Sequence, residues 1–196
     1  MSHASSHADP APHPDPAPQD LGAAPARPAP IDTFDPRAFR QALGHFATGV
    51  AIVTARTAEG ESVGMTMSSF NSVSLDPPLV LFSVAKSAYS LPAMQKARGF
   101  GINILGQDQQ HLSNRFARAL DDKWQDVDHT PGAHDAPLIA GAIAHFECEP
   151  FARHDGGDHE IFLARVLRFA ADGLRDPLVF FRGRYHALSC GPSPDR

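Results

Sequence analysis

The sequence has few cysteines, no long apolar run and no surplus of positive charge. Its two cysteines, Cys148 and Cys190, are too few and too far apart for a disulfide framework or a CxxC site. No apolar run approaches the ~18–20 residues that a membrane-spanning helix needs. The N-terminus also lacks the basic start and the apolar segment of a signal peptide. These absences predict a cytoplasmic protein that is not inserted in a membrane.

Charge and motif content exclude further classes. Lysine and arginine number 17 against 22 aspartates and glutamates, and the pI is about 6.1. The basic patch of a nucleic-acid-binding protein is therefore missing. The chain has no GxGxxG after a strand, which argues against a Rossmann nicotinamide site, and no Walker loop, HExxH or GxSxG motif. Its 196 residues, 42% of them hydrophobic, are enough for one domain with a hydrophobic core.

Composition changes near residue 30. Residues 1–30 contain 8 of the 18 prolines and 8 alanines, with Leu21 as the one large aliphatic residue. Such a segment cannot bury enough apolar surface to offset the entropy of ordering it. The sequence therefore predicts a disordered tail at 1–30, one domain at 31–190 and a frayed C-terminus at 191–196.

Short strands dominate the pattern of the predicted domain. One helix is expected to open at Asp35-Pro36, to carry an apolar face and to end at Gly49. Two more are expected at Ser87–Ala97 and at about Gln109–Ala119. Strands this close together favour a mainly β barrel or sandwich with flanking helices over a parallel doubly wound sheet. The predicted strands are Val50–Thr54, Val63–Met67, Ser72–Leu75, Leu79–Val84, Phe100–Leu105, Ala144–Glu149, His159–Phe169 and Leu178–Phe181.

Two segments suggest a ligand site. The segment Gly64–Ser74 places five hydroxyl groups in eleven residues, which could hold a polar ligand or simply face solvent. The segment Ser83–Ser87 leads into a predicted helix, whose N-terminus favours an anion, and Lys86 adds a full charge. Ser87 could instead serve only as the helix cap. Together the two segments predict a phosphorylated, flat cofactor along a barrel edge.

A third segment resembles a metal loop. His154 and His159 flank Asp-Gly-Gly-Asp, and imidazole and carboxylate groups are common metal ligands. A β-hairpin turn explains the same residues more simply, because Gly156 and Gly157 supply the positive φ angles of a tight turn. The sequence predicts the hairpin and no metal site.

Four motifs, in this order along the chain, resemble a known family. They are TGVAIVT at 48–54, GMTMSSFNSVSLDPPL at 64–79, FGINIL at 100–105 and GDH at 157–159. Through them the chain resembles the short-chain flavin reductases, which are the reductase components of two-component flavin-dependent monooxygenases such as 4-hydroxyphenylacetate monooxygenase. The resemblance covers residues 35 to 188, and the long second motif is its most specific part.

The resemblance implies a fold and an activity. The fold is an FMN-binding split barrel, a Greek-key β-barrel with a few flanking helices that usually forms a homodimer. The activity is NAD(P)H-dependent reduction of FMN or FAD by hydride transfer to the flavin N5, with reduced flavin passed to a partner monooxygenase. Two alternatives stay open at this point: a flavoenzyme of the same fold that reduces a corrinoid or a ferric complex, and a non-enzymatic flavin-binding redox protein.

The resemblance also implies site residues. His159 is the expected catalytic-site residue, positioning the nicotinamide against the flavin rather than transferring a proton. NAD(P)H is expected to contact Asp158, His159, Arg184 and Tyr185. The flavin is expected to contact Thr66, Met67, Ser68 and Ser69 along its ribityl chain and ring edge, Ser83, Val84, Lys86 and Ser87 at its phosphate, and Asn103, Leu105 and Phe116 beside its ring.

Overall fold

The computed structural model describes residues 35–120, 122–173 and 175–188. The helices are α1 Pro36–Leu43, α2 Leu91–Lys96 and α3 Gln110–Phe116, with 3₁₀ turns at Gln107–Gln109 and Ala133–Asp135. The strands are β1 Thr48–Gly49, β2 Ala51–Arg56, β3 Ser62–Met67, β4 Asn71–Leu75, β5 Pro78–Ala85, β6 Phe100–Ile104, β7 His129–Pro131, β8 Pro137–Ile139, β9 Ala144–Gly156, β10 His159–Ala171, β11 Val179–Phe181 and β12 Arg184–His186. This content confirms the mainly β prediction.

The main sheet is antiparallel and curls back on itself. Its seven strands lie in the order β3-β2-β6-β9-β10-β5-β4, so that β3 and β4 are its two edges. Laid flat, these edges would be roughly 29 Å apart, given about 4.8 Å between neighbouring strands. Only residues 68–70 connect β3 to β4, and a link of that length spans at most about 14 Å. The connection therefore requires a strongly curved, barrel-like sheet.

Two apolar clusters cover the two sides of β2. The cluster inside the curved sheet includes stacked Phe82 and Phe162 rings, with centroids 5.1 Å apart, and Phe100 against them edge to face. The second cluster lies under α3 and includes Ile52 and Phe116. Because both faces of β2 are covered, its residues are buried from Ala51 to Ala55 without alternation, and Thr54 is the one polar residue among them.

Several element boundaries differ from the predictions. Helix α1 ends at Leu43 rather than at Gly49, with Gly44 immediately after it, and none of its residues is buried. Helix α2 begins at Leu91 rather than at Ser87. The reason is Pro92. Proline is tolerated in the first turn of a helix, but in the interior of a helix that began at Ser87 it would remove a hydrogen bond and clash with the preceding turn.

Other differences concern the strands and the termini. Strands β9 and β10 form one long hairpin, with β9 continuing to Gly156. The sequence did not predict β1, β7, β8 or β12. The described residues from Arg37 onward belong to one compact unit. The predicted tail at 1–30 and C-terminus at 191–196 lie outside the described residues. In the described ranges, no helix is both long enough and apolar enough to cross a membrane.

Candidate functional site

The hydroxyl-rich segment joins three parts of the fold. Thr66, on β3, donates its hydroxyl hydrogen to the Ser113 carbonyl of α3, with 2.7 Å between the oxygens. Ser69, in the β3–β4 connection, accepts a hydrogen bond from the Ser83 amide at 3.0 Å and donates to the Ser83 carbonyl at 3.2 Å. Met67 is buried, whereas Ser68 is exposed. The Ser69 hydroxyl thus fastens the first predicted flavin segment to the second.

The second segment is a turn rather than a helix start. Val84 is buried in the barrel core, and Lys86 and Ser87 are exposed in the turn that follows β5. The Lys86 ammonium lies 2.7 Å from a carboxylate oxygen of Asp155, and this hydrogen bond lowers the pKa of Asp155. The prediction of a helix N-terminus at Ser87 is wrong, and the Lys86 charge is paired with a carboxylate.

The β9–β10 hairpin brings His159 beside this turn. The hairpin reverses at Gly157 and Asp158, and Gly157 has the predicted positive φ. The same prediction for Gly156 is wrong, because Gly156 still belongs to β9 and pairs with His159. His159 pairs with Ala85 of β5, and the Asp158 carbonyl accepts a hydrogen bond from the Lys86 amide at 2.9 Å. The segments 83–87 and 157–159, far apart in sequence, are therefore neighbours in the structure.

The His159 ring is oriented by the residue before it. Its Nδ1 lies 2.7 Å from a carboxylate oxygen of Asp158. The hydrogen bond and the charge of His159 lower the pKa of Asp158, so that the carboxylate is ionised and acts as acceptor. Nδ1 then carries the proton, and the half-exposed ring keeps Nε2 for another partner.

Two adjoining cavities lie between the β5–α2 turn and the end of α3. The first has a volume of about 370 Å³ and contains both Ser87 and Phe116 in its wall. The second, of about 520 Å³, has Trp124 in its wall. Both cavities share Tyr89, Ser90, Leu120 and Lys123. Their size is that of small-molecule sites. The first cavity, with Ser87, Arg118 and Lys123 in its wall, suits a flat ligand that carries negative charge, whereas the wall of the second also contains Glu61.

One wall of these cavities is a packed aromatic pair. The Phe116 and Trp124 rings meet edge to face, with centroids 4.9 Å apart. Gly64 leaves the room for this pair, because a Cβ built on it would lie 2.8 Å from Cε1 of Phe116. Phe116 is buried, so the ligand side of the wall is formed mainly at its margin. The sequence analysis named Phe116 but not Trp124.

Lys123 is a second residue that the sequence analysis missed. Its ammonium lies 3.4 Å from the carbonyl oxygens of Gly64 and Phe116, and burial lowers its pKa. Within the part of the chain that the structure describes, no carboxylate lies within 4.0 Å of this ammonium. The one signal in the sequence is its position next to the only tryptophan, just after α3.

Asn103 and Leu105 lie inside the protein. The Asn103 amide donates to the Ile52 carbonyl at 3.0 Å, and its side-chain oxygen accepts from the Ile139 amide at 2.7 Å. Leu105 is fully buried in the cluster under α3. Both side chains therefore hold the barrel together, and a contact of either with a flavin stays a prediction.

Arg184 and Tyr185 lie on β12, beside α3. The Tyr185 hydroxyl is 2.8 Å from the hydroxyl of buried Ser113 and donates to Asn114 at 3.3 Å. Ser113 thereby connects Tyr185 with Thr66, whereas Arg184 is exposed. Among the described residues, no hydrogen bond or ion pair joins Arg184 or Tyr185 to the His159 hairpin.

Comparison with known proteins confirms the resemblance. The sequence matches the family model for the flavin reductase like domain over residues 43–189. It is 49% identical to an FMN reductase (NADH), SmoA, of Agrobacterium fabrum, over 78% of this chain and 86% of the relative. It is 38% identical to HsaB, a flavin-dependent monooxygenase reductase subunit of Rhodococcus jostii, over 84% and 82%.

Some relatives are longer than this chain. The chain is 44% identical to a probable flavin reductase of Rhizobium meliloti, with 79% of this chain matched but only 49% of the relative. The chain thus spans about half the length of that protein.

Solved structures share the fold. The NADH:FAD oxidoreductase SgcE6 of Streptomyces globisporus, in complex with NAD and FAD fragments, has a TM-score of 0.76 and 37% identity over 83% of this chain and 99% of that one. The styrene monooxygenase flavin reductase of Pseudomonas putida S12 has a TM-score of 0.72 and 38% identity over 79% and 99%. These neighbours confirm the fold class.

Proposed function

Because this chain belongs to the flavin reductase like domain family, we propose that it reduces FMN or FAD with NADH or NADPH and supplies reduced flavin to a partner monooxygenase. The observation that carries the proposal is the cavity between the β5–α2 turn and α3. It joins two residues expected at opposite ends of the flavin, Ser87 and Phe116, and relatives that match most of this chain are named flavin reductases.

The residues of the cavity are suited to hold a flavin. Ser87 offers a hydroxyl for a phosphate, and the margin of Phe116 offers an apolar edge for a flat ring. Ser69 keeps the two flavin segments together through the Ser83 backbone. When bound, the flavin supplies the chemistry: its N5 accepts the hydride of NAD(P)H, which leaves NAD(P)⁺ and a reduced ring with one added negative charge.

His159 orients the nicotinamide in this proposal. Hydride transfer needs the donor carbon about 3–3.5 Å from the acceptor, with the rings stacked. Asp158 fixes the His159 ring through Nδ1, so that Nε2 and the ring face are presented at the tip of the hairpin. No protein nucleophile or general base is needed, because the hydride passes directly between the two cofactors.

We propose further that the chain forms a homodimer through the exposed apolar side chains of its main sheet. Phe151 on β9, Leu167 and Phe169 on β10 and Val73 and Leu75 on β4 are large apolar residues that are exposed. These strands are close neighbours in the sheet, since β5 pairs with both β10 and β4. Exposed apolar groups concentrated in one region are typical of a protein interface, and a second copy provides a matching apolar surface.

A partner monooxygenase and a cytoplasmic location complete the proposal. The relatives include reductase subunits of flavin-dependent monooxygenases, which supports an oxygenase as the acceptor of reduced flavin. The cytoplasm is where NAD(P)H is available, and Cys148 is a buried free thiol, which suits a reducing compartment.

The experiment that tests the function is oxidation of NADH and of NADPH by the purified protein, with and without FMN or FAD. Turnover that increases with added free flavin is expected, because flavin acts as substrate. Tight flavin binding without turnover would contradict reductase activity and favour a binding protein. Faster turnover with a corrinoid or a ferric complex than with flavin would contradict flavin as the physiological acceptor.

A further inference from the structure

Lys123 occupies a particular place in the candidate site. It lies beyond the end of α3 and contributes to the walls of both cavities. Its ammonium is near two main-chain carbonyl oxygens, those of Gly64 and Phe116, at 3.4 Å each. Contacts at this distance are long for hydrogen bonds between nitrogen and oxygen. The ammonium is therefore located by the main chain but is only weakly satisfied by it.

Lys123 forms no ion pair with a carboxylate of the described residues, although Glu61 also lines the second cavity. No carboxylate lies within ion-pair distance in the described ranges, in contrast to Lys86, which is paired with Asp155. Lys123 is half buried, and removal from water disfavours its charged form. An ammonium in this position gains more from an anionic ligand than one on the open surface, because the surrounding water screens less of the interaction.

The neighbours of Lys123 indicate what kind of anion fits. Phe116 and Trp124 form an aromatic wall on one side, and Tyr89 is shared by the two cavities. Aromatic walls favour a flat ring over a compact inorganic anion. In the proposed reaction, the ligand that is both flat and more negative after the reaction is the reduced flavin.

We propose that Lys123 is a binding residue of the flavin ring and favours the reduced flavin over the oxidised flavin. This inference rests on the proposed function. In it the ammonium faces the negative charge that hydride transfer adds to the ring, while Ser87 remains at the phosphate end of the cavity. Lys123 thus stabilises the product of the reaction more than the substrate.

The test compares four proteins: the wild type, Lys123→Met, Lys123→Arg and the control Lys96→Met. Lys96 is an exposed lysine at the end of α2, so its replacement removes the same charge away from the cavities. Dissociation constants are measured for oxidised flavin and, without oxygen, for chemically reduced flavin. Thermal unfolding shows whether each variant is folded.

We expect Lys123→Met to weaken binding of reduced FMN about tenfold more than binding of oxidised FMN, because a charge-assisted contact is lost in one state only. The corresponding change is a decrease of about 30 mV in the reduction potential of the bound flavin. Lys123→Arg is expected to restore most of the preference, and Lys96→Met to leave it unchanged. Equal loss of affinity for both redox states would overturn the inference.

Riboflavin distinguishes the ring from the phosphate as the partner of Lys123. It has the same ring as FMN but no phosphate, so a ring contact predicts the same tenfold effect of Lys123→Met on reduced riboflavin. An effect confined to FMN would assign Lys123 to the phosphate and contradict the inference. Failure of the wild type to bind any flavin would instead contradict the proposed function itself.

Discussion

At the scale of single residues, the candidate site depends on side chains that the main chain or a neighbour already orients. Ser69 is held by both polar groups of the Ser83 main chain, and His159 is held by Asp158. A side chain fixed in this way loses little conformational freedom when a ligand binds, which favours a defined ligand geometry.

Replacement of His159 by Ala tests its proposed role at the nicotinamide. The KM for NADH is expected to increase about tenfold, because the ring that orients the nicotinamide is lost. The dissociation constant for flavin is expected to change much less. Steady-state kinetics and a flavin titration measure the two quantities. His154→Ala, an exposed histidine of the same hairpin, is the control, and an equal effect on both constants of His159→Ala would reject the role.

Replacement of Gly64 by Ala tests the aromatic wall. A Cβ at this position would lie 2.8 Å from the buried Phe116 ring, and we expect a loss of about 1–3 kcal/mol in the free energy of unfolding, as is usual for overpacking. Flavin affinity is expected to fall as well, because Phe116 must move toward the cavity. Denaturant unfolding and flavin titration measure the two effects.

Gly49→Ala is the matched control for Gly64→Ala. A Cβ at Gly49 meets no atom within 4 Å, so this substitution is expected to change the stability little. If both substitutions have the same effect, the crowding argument for Gly64 is wrong.

At the scale of elements, periodicity predicted strands better than it predicted boundaries. The alternation of residues 144–149 indicated a strand, but β9 continues to Gly156 because pairing with β10 continues to the hairpin turn, a tertiary effect that a local pattern does not contain. The predicted start of α2 at Ser87 was too early, because the prediction did not take Pro92 into account. Strands β1, β7, β8 and β12 have two or three residues each, too few to show alternation, whereas the equally short β11 was found through its run of branched and aromatic residues.

The residues of the candidate site were likewise predicted only in part. The resemblance to the flavin reductases implied Ser87, Phe116 and His159, and the segment Ser83–Ser87 independently suggested Ser87. Neither predicted Lys123 or Trp124, which become part of the site only because the chain after α3 returns to β3. Nor does the sequence reveal that the Lys86 charge is paired with Asp155, since that pair joins residues far apart in the chain.

The link between the β5–α2 turn and the β9–β10 hairpin has a predictable pH dependence. The pKa of Asp155 is lowered mainly by its hydrogen bond to Lys86. A carboxyl whose folded-state pKa is depressed stabilises the fold above its unfolded pKa, and this contribution is lost as the pH falls through the folded value. Asp155→Asn is therefore expected to lower Tm slightly at neutral pH and not at acidic pH.

Thermal unfolding as a function of pH measures this effect, with Asp122→Asn as the control, since Asp122 is an exposed carboxylate without an ion pair among the described contacts. The difference in Tm between wild type and Asp155→Asn should shrink as the pH decreases below the ordinary pKa of an aspartate. A difference that grows toward acidic pH would contradict the assignment of the pair.

At the scale of the whole molecule, the unusual feature is the distribution of apolar side chains. The barrel core is filled by Phe82, Phe100 and Phe162, yet Phe169 is 75% exposed and Leu75 is 95% exposed on neighbouring parts of the same sheet. Phe169 stacks on Phe146, with ring centroids 6.3 Å apart, but most of its apolar area stays exposed in one copy. The concentration of exposed apolar side chains is explained when a second copy covers them, as proposed above.

Replacement of Phe169 by Glu tests the proposed homodimer. In an interface with twofold symmetry each residue occurs twice, so one substitution buries two charges. The variant is expected to be monomeric in size-exclusion chromatography with light scattering at concentrations where the wild type is dimeric. Phe46→Glu is the control, because Phe46 is 74% exposed but lies between α1 and β1, outside the strands of the main sheet. If the dimer persists in Phe169→Glu and dissociates in Phe46→Glu, the interface lies on the α1 side instead. The two residues are almost equally exposed and the introduced charge is the same, so only their location can explain such a difference.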